Sequence, residues 1–208
     1  MVLFQRQTTR VKDKYLKKQI SLKVFGLLFL AILFSKNLAG EELNSKIIKY
    51  LQGLNSFSSN LIQSDGTNIE EGYIYINDGV IRLDYTNPER TLKISEEKGV
   101  YINHELEEEE FFSTKKNTIK IFYDFFLKNN FLSSLTPREN GNAVVFEKII
   151  QSESNKVHLT IFFETNPLIL RKIISKTEDD LISISLYDHN YNNVFEKNFF
   201  SFVPIYLD

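Results

Sequence analysis

From residue 57 onwards, the chain is a series of short segments in which apolar and polar residues alternate, with turn-forming residues between them. This feature constrains the fold most, because alternation with a period of two is typical of strands that bury one face. Asn77-Asp78-Gly79 lies between two such segments and is a strong signal for a tight hairpin. Neighbouring strands joined in this way predict an antiparallel meander. The predicted strands are Phe57–Gln63, Asn68–Ile76, Val80–Tyr85, Thr91–Glu96, Gly99–Asn103, Glu109–Thr114, Ala143–Ile149, Lys156–Glu164, Leu168–Lys176, Leu181–Asp188 and Asn198–Val203.

Two other segments have helical spacing. Leu43–Leu54 places its apolar residues three and four positions apart, which predicts a short amphipathic helix. Thr118–Leu127 has the same spacing and is unusually apolar, with Thr118 as a suitable N-cap. Many antiparallel strands with two inserted helices predict an α+β fold. A sheet of this size is expected to curl, and helices covering its concave face would enclose a pocket.

Residues 1–40 differ from the rest of the chain. A basic leader precedes the unbroken apolar run Val24–Phe34, and the small residues Ala39 and Gly40 follow. This order is that of a secretory signal peptide, which predicts export and leaves residues 41–208 as one domain. The apolar run is shorter than the roughly 20 residues that span a bilayer. An uncleaved membrane anchor is the alternative interpretation.

Without this leader the charge balance is strongly acidic. Residues 1–40 hold eight of the 25 basic residues and one of the 27 acidic residues, so residues 41–208 hold 17 basic against 26 acidic residues, a net charge of −9. Nucleic acid and anionic lipid surfaces both attract Lys and Arg, so neither is an expected partner. This charge favours a domain that stays in solution.

The sequence contains none of the common signals of catalysis or metal binding. It has no cysteine, which excludes disulfides, a Cys nucleophile, Cys-ligated zinc and a lipid-modified N-terminal Cys. His104, His158 and His189 are scattered without metal-ligand spacing, and no GxSxG, HExxH or phosphate-binding loop occurs. We therefore expect no metal, no cofactor and no enzymatic activity, although a catalytic triad dispersed along the chain would leave no such motif.

Several short motifs occur in a distinctive order. They are Phe57–Gln63, with an aromatic residue first and Gln last; Glu71–Ile76; Ile81–Tyr85 before Asn87-Pro88, with an Arg inside an apolar strand; Ser95–Tyr101; and Phe200–Pro204. In this order they resemble the LolA family of soluble lipoprotein carriers, and the resemblance spans nearly all of residues 43–206. The chain departs from the family where Asn77-Asp78-Gly79 and Asn117-Thr118 stand in place of prolines, and where Phe and Tyr replace tryptophans.

The resemblance implies a specific fold and function. The fold would be an incomplete, strongly curved antiparallel β-barrel with a short helical lid over an apolar cavity for the acyl chains of lipoproteins. The cargo would come from an inner-membrane ABC-type lipoprotein releasing complex and pass to a lipid-anchored outer-membrane acceptor. Because that acceptor is anchored through a Cys, this chain resembles the soluble, monomeric periplasmic carrier. A periplasmic regulator of the same fold that senses lipid or lipoprotein, or a lipid-modifying enzyme, is the alternative.

A set of apolar strand and helix residues is expected to line the cavity, with plain packed core as the alternative for each of them. The residues are Phe57, Leu61, Ile74, Ile76, Leu92, Ile94, Phe122, Phe125, Phe126, Leu127, Leu159, Ile161, Phe163, Ile182, Ile184 and Leu186.

Two charged features allow two interpretations each. The resemblance places Arg82 inward, where it would close the lid through hydrogen bonds to carbonyls of the helix. Alternation along Val80–Tyr85 places Arg82 opposite Ile81 and Leu83, which is typical of an outward-facing residue. The acidic run of Glu105 and Glu107–Glu110 is typical of a solvated loop, or it faces a basic partner.

The leader generates a first prediction. Signal peptidase is expected to cleave the chain so that the mature protein begins near Gly40 or Glu41. N-terminal sequencing of the protein purified from its native cells would measure this directly. Recovery of intact residues 1–20 in the mature protein would favour the membrane-anchor interpretation instead.

Overall fold

The alternating segments form one antiparallel sheet. The computed structural model describes residues 42–115, 119–128, 130–151 and 156–206. Its helices are α1 (residues 42–52) and α2 (Ile119–Leu127). Its strands are β1 (Phe57–Ser64), β2 (Ile69–Asn77), β3 (Val80–Thr86), β4 (Glu89–Ile94), β5 (Lys98–Asn103), β6 (Glu108–Ser113), β7 (Arg138–Asn140), β8 (Ala143–Gln151), β9 (Lys156–Thr165), β10 (Leu168–Lys176) and β11 (Leu181–Asn190). The predicted α+β fold class is confirmed.

The sheet consists of two meanders joined side by side. Its strand order is β6-β5-β4-β3-β2-β1-β11-β10-β9-β8-β7, so β1 pairs with both β2 and β11. In the β1–β11 pairing Leu61 lies opposite Leu186, and Gln63 lies opposite Ile184. Strands β6 and β7 form the two edges and do not pair with each other. The sheet is therefore an open half-barrel, as expected, rather than a closed barrel.

Helix α1 covers one end of the concave face, which we call the closed end. Ile47 on this helix is fully buried. The Tyr50 ring meets the Phe163 ring edge-on at 6.0 Å, and its hydroxyl accepts a hydrogen bond from the Leu170 N–H at 3.1 Å. Burial raises the pKa of Tyr50, which therefore stays a neutral phenol. The opposite end of the concave face, which α1 does not cover, is called the open end.

Helix α2 supplies the expected helical lid. Its described part begins at Ile119, so the predicted N-cap Thr118 lies outside the described residues. Phe125 and Phe126 are buried, and the centres of their rings lie 4.8 Å apart. The Tyr123 hydroxyl donates a hydrogen bond to the Gly79 carbonyl at 3.3 Å. The apolar character that marked this helix in the sequence thus reflects burial against the sheet.

The prediction of a final strand at Asn198–Val203 is wrong. Residues 197–200 form a turn, and the C-terminal segment (residues 195–206) crosses the outer face of the sheet. Its carbonyls accept hydrogen bonds from side chains rather than from a neighbouring strand. Phe199 accepts from Arg82, and Ser201 accepts from Lys93, both at 2.7 Å. The side chains of Arg82 and Lys93 thus bond carbonyls that a neighbouring strand would otherwise bond. Alternation of apolar and polar residues in the sequence cannot reveal such contacts.

The sequence did not reveal one short strand, and one predicted segment is untested. The short strand β7 was not predicted, because Glu139 and Asn140 have the composition of a turn. The predicted signal peptide, residues 1–40, lies outside the described residues and stays a prediction. Within the part of the chain that the structure describes, no helix is long and apolar enough to cross a membrane.

The packing at the closed end generates a stability prediction. Phe163 is 1% exposed and contacts the rings of Tyr50 and Phe146. Phe163→Ala is expected to lower the free energy of unfolding by about 3–5 kcal/mol, because it leaves a cavity between rings that cannot collapse. Urea denaturation would measure this, with Ile69→Ala as the control, since Ile69 is 72% exposed. Equal effects of the two substitutions would contradict this account of the core.

Candidate functional site

An apolar cavity of about 330 Å³ lies at the open end, between α2 and the concave face of the sheet. Its walls come from both meanders, because the sheet curls around the helix. The lining residues are Gln63, Leu83, Tyr85, Leu92, Ile94, Ile119, Ile121, Phe122, Phe125, Leu159, Ile173, Ser175, Ile182 and Ile184. Most of these are aliphatic or aromatic, so the cavity is suited to an apolar ligand.

A larger depression lies along the ends of β8, β9 and β10, with a volume of about 900 Å³. Its walls carry Glu147, Lys156 and Lys176. These charged groups would have to be desolvated by an apolar ligand, which is unfavourable. The smaller cavity under α2 is therefore the better candidate site for such a ligand.

The structure divides the residues expected at the cavity into two groups. Those that line it are Leu92, Ile94, Phe122, Phe125, Leu159, Ile182 and Ile184. Those in the packed core are Phe57, Leu61, Ile74, Ile76, Phe126, Ile161, Phe163 and Leu186. Leu127 is half-buried at the end of α2 and does not line the cavity. Alternation identifies which residues of a strand face the concave side of the sheet, but not whether they lie at its open or its closed end. Because α1 fills the closed end, inner-face residues there are packed core.

Sequence reasoning also missed several lining residues. Leu83 and Tyr85 share the alternation of Ile81, so the pattern of β3 could have identified them. Ile173 and Ser175 were harder to find, because the β9–β10 register shifts between Leu170 and Lys172. Such an irregularity breaks the alternation and moves the following residues to the other face. Gln63, Ile119 and Ile121 complete the missed set.

Polar side chains stand at one margin of the cavity, where Gln63 and Tyr85 belong to its wall and Glu70, Arg90 and Tyr101 adjoin them. We call these five residues the polar rim. The Tyr85 hydroxyl donates to Oε1 of Gln63 at 2.8 Å, and the Arg90 guanidinium pairs with Glu70. The guanidinium carbon of Arg90 lies 5.2 Å from the centre of the Tyr85 ring. Burial, with the nearby charge of Glu70, raises the pKa of Tyr85 to about 12, so the phenol remains a donor.

Tyr101 completes the polar rim from the neighbouring strand β5. Burial of Arg90 opposes its charge, but hydrogen bonds to Tyr101 and Glu70 outweigh this and raise the pKa of Arg90 above its usual value. Tyr101 lies opposite Leu92 in the β4–β5 register, so it faces the same side of the sheet as that cavity residue. The rim therefore holds a permanently charged guanidinium beside an apolar cavity.

The placement of Arg82 corrects the expectation that it closes the helical lid. Arg82 lies on the outer face, because Ile81 and Leu83 occupy the inner face of the same strand. Its Nε donates to both carboxylate oxygens of Asp84 at 2.8 and 3.0 Å, and its Nη1 donates to the Phe199 carbonyl. The guanidinium also lies 4.0 Å from the centre of the Phe199 ring. Arg82 thus fastens the C-terminal segment, and alternation indicated its side of the sheet correctly.

Glu109 of the acidic run and His104 both contact the C-terminal segment. Glu109 accepts hydrogen bonds from the backbone N–H groups of Ile205 and Tyr206. His104 contacts the hydroxyls of Thr91 and Tyr206. His189 is half-buried, with its Nε2 2.9 Å from the Leu170 carbonyl oxygen. The remaining members of the two sets are exposed: Glu105, Glu107, Glu108, Glu110 and His158. Across the described ranges, no group of His, Asp or Glu side chains is arranged to hold a metal ion.

Comparisons with known proteins bear on the fold. The sequence matches no family model, and no curated protein matches it. The structure is similar to an uncharacterized conserved protein from Thermus thermophilus, with a TM-score of 0.50 and 8% identity, covering 78% of this chain and 96% of that one. The two proteins therefore share a fold.

Two further solved structures show a weaker similarity. LprF from Mycobacterium bovis has a TM-score of 0.43 and 10% identity, covering 76% of this chain and 96% of that one. MucB, solved in complex with MucA(peri), has a TM-score of 0.35 and 13% identity, covering 76% of this chain. The match spans 57% of the MucB chain.

The position of Arg82 generates a prediction that separates stability from ligand binding. Arg82→Gln is expected to lower the free energy of unfolding by about 1.5–3 kcal/mol, because it removes a hydrogen bond from a charged donor to the Phe199 carbonyl. Affinity for an apolar ligand should be unchanged, since Arg82 faces away from the cavity. Thermal denaturation and titration with a fluorescent apolar probe would measure the two quantities. Weaker probe binding without loss of stability would contradict the outward placement.

Proposed function

We propose that this protein is a periplasmic carrier that binds the acyl chains of lipoproteins in the cavity under α2. The observation that carries the proposal is the cavity itself, an apolar space of about 330 Å³ between a helix and a curved sheet. Ligand pockets in proteins usually have volumes of about 300–1,000 Å³. The cavity is at the small end of this range, so a cargo with several chains would require α2 to move away from the sheet.

The energetics of acyl chains explain why a carrier is needed and how it would work. Transfer of an acyl chain from water to an apolar site is favourable by about 0.8 kcal/mol per CH₂ group. A long chain therefore does not diffuse through water at a useful rate unless a protein shields it. Delivery further requires that the acceptor binds the chain more tightly than the carrier does.

The proposed partners follow from the LolA-like order of the sequence motifs. Cargo would enter from an inner-membrane ABC-type lipoprotein releasing complex and leave to a lipid-anchored acceptor in the outer membrane. The signal-peptide pattern of residues 1–40 and the net charge of −9 over residues 41–208 support a role in the aqueous periplasm. The protein would act as a monomer, without a cofactor and without catalysing a reaction.

A charge introduced at the cavity mouth tests the proposal. Ile182 lines the cavity yet is 40% exposed, so Ile182→Glu should leave the fold intact. We expect the amount of co-purifying acyl lipid, measured by mass spectrometry, to fall at least roughly tenfold, because the new carboxylate would be desolvated by the chain.

The matched control is Ile69→Glu, which makes the same substitution at an exposed position of β2 that does not line the cavity. This variant should retain the lipid content of the wild type. Wild-type protein that carries no acyl lipid, or equal lipid content in both variants, would refute the assignment of the cavity.

A further inference from the structure

The polar rim contains hydrogen-bond donors without strong partners beside an apolar cavity. The Nε of Arg90 is buried and has no hydrogen-bond partner among the residues that the structure describes. The Nε2 of Gln63 reaches Glu70 only at 3.5 Å, the outer limit for a hydrogen bond. Ser175 adds a hydroxyl to the cavity wall. Of these donors, the Gln63 amide and the Ser175 hydroxyl belong to the cavity wall, so a ligand that brings an oxygen acceptor to this margin would bond to them.

The charge of the rim decides which acceptor fits. Glu70 already neutralises Arg90, and the other members, Gln63, Tyr85 and Tyr101, are uncharged amide or phenol groups. A carboxylate entering the rim would therefore approach Glu70 without an unpaired cation to attract it. A neutral carbonyl avoids this repulsion and still accepts hydrogen bonds.

The surroundings of the rim reinforce this discrimination. On β6, Glu108 lies opposite Asn103 and Glu110 lies opposite Tyr101 in the β5–β6 register, which adds negative charge near the rim. On α2, the ammonium of Lys120 is paired with Asp124 at 2.7 Å. The local field thus disfavours an anionic head group at this margin of the cavity.

We infer that the polar rim selects acyl chains whose carboxyl group is esterified or amide-linked and discriminates against free fatty acids. The inference rests on the proposed function, since it specifies the linkage of the acyl chain that the cavity takes. In an esterified or amide-linked chain the carbonyl accepts from the Gln63 amide, while the hydrocarbon lies against Leu92, Leu159 and Ile184.

Fluorescence titration of the full-length protein with cis-parinaric acid and with its methyl ester tests this inference. The two probes have the same chain and differ only in the carboxyl group, which is ionised in the free acid at about pH 8. We expect wild-type protein to bind the ester roughly tenfold more tightly than the acid, from the repulsion by Glu70. Glu70→Gln leaves Arg90 without its counter-ion, so the acid should bind roughly tenfold more tightly and the preference for the ester should disappear.

The control is Glu89→Gln, which makes the same charge change at an exposed outer-face position of β4, the strand that carries Arg90. Circular dichroism and urea midpoints would establish that both variants fold. Equal affinity of the two probes for wild-type protein, or equal responses of the two variants, would overturn the inference while leaving acyl binding intact. Failure of wild-type protein to bind either probe would overturn the proposed function as well.

Discussion

The pairing of β1 with β11 is the interaction on which the rest of the structure depends. It joins the meander β1–β6 to the meander β7–β11, which are otherwise separate in the strand order. The Ser59 hydroxyl strengthens this contact by donating to the Tyr187 carbonyl at 2.7 Å. Because residues 57–64 and 181–190 are far apart in sequence, their pairing carries a large loop-closure entropy that only burial of the shared core can offset.

The cavity is a consequence of this pairing. Leu83 and Leu92 come from the first meander, whereas Leu159 and Ile173 come from the second, and α2 lies between them. At the closed end, α1 fills the corresponding space with Ile47 and its neighbours. The same curved sheet therefore forms a packed core at one end and an accessible apolar space at the other, so stability and binding are assigned to different parts of one concave face.

The outer face is organised by charge rather than by apolar packing alone. Lys93 is only 3% exposed, and its ammonium donates to the Ser201 carbonyl. Burial, together with the nearby charge of Arg82, lowers the pKa of Lys93. Arg82 and Glu109 bind the backbone of the same C-terminal segment, which explains why this segment needs no strand partner. Arginines on adjacent strands thus have different roles: Arg82 fastens a segment, and Arg90 lies at the cavity.

By itself, the sequence determined the strand-rich fold, the hairpin at Asn77-Asp78-Gly79, the two helices and the inner face of most strands. These features follow from local periodicity and turn chemistry, which act over a few residues. Only the tertiary structure decided which inner-face residues reach the cavity, because α1 fills one end and the β10 irregularity turns Ile173 and Ser175 inward. Tertiary structure alone also brought Glu70 to Arg90 and the Phe199 carbonyl to Arg82. Such contacts join residues on different elements, and no local pattern encodes them.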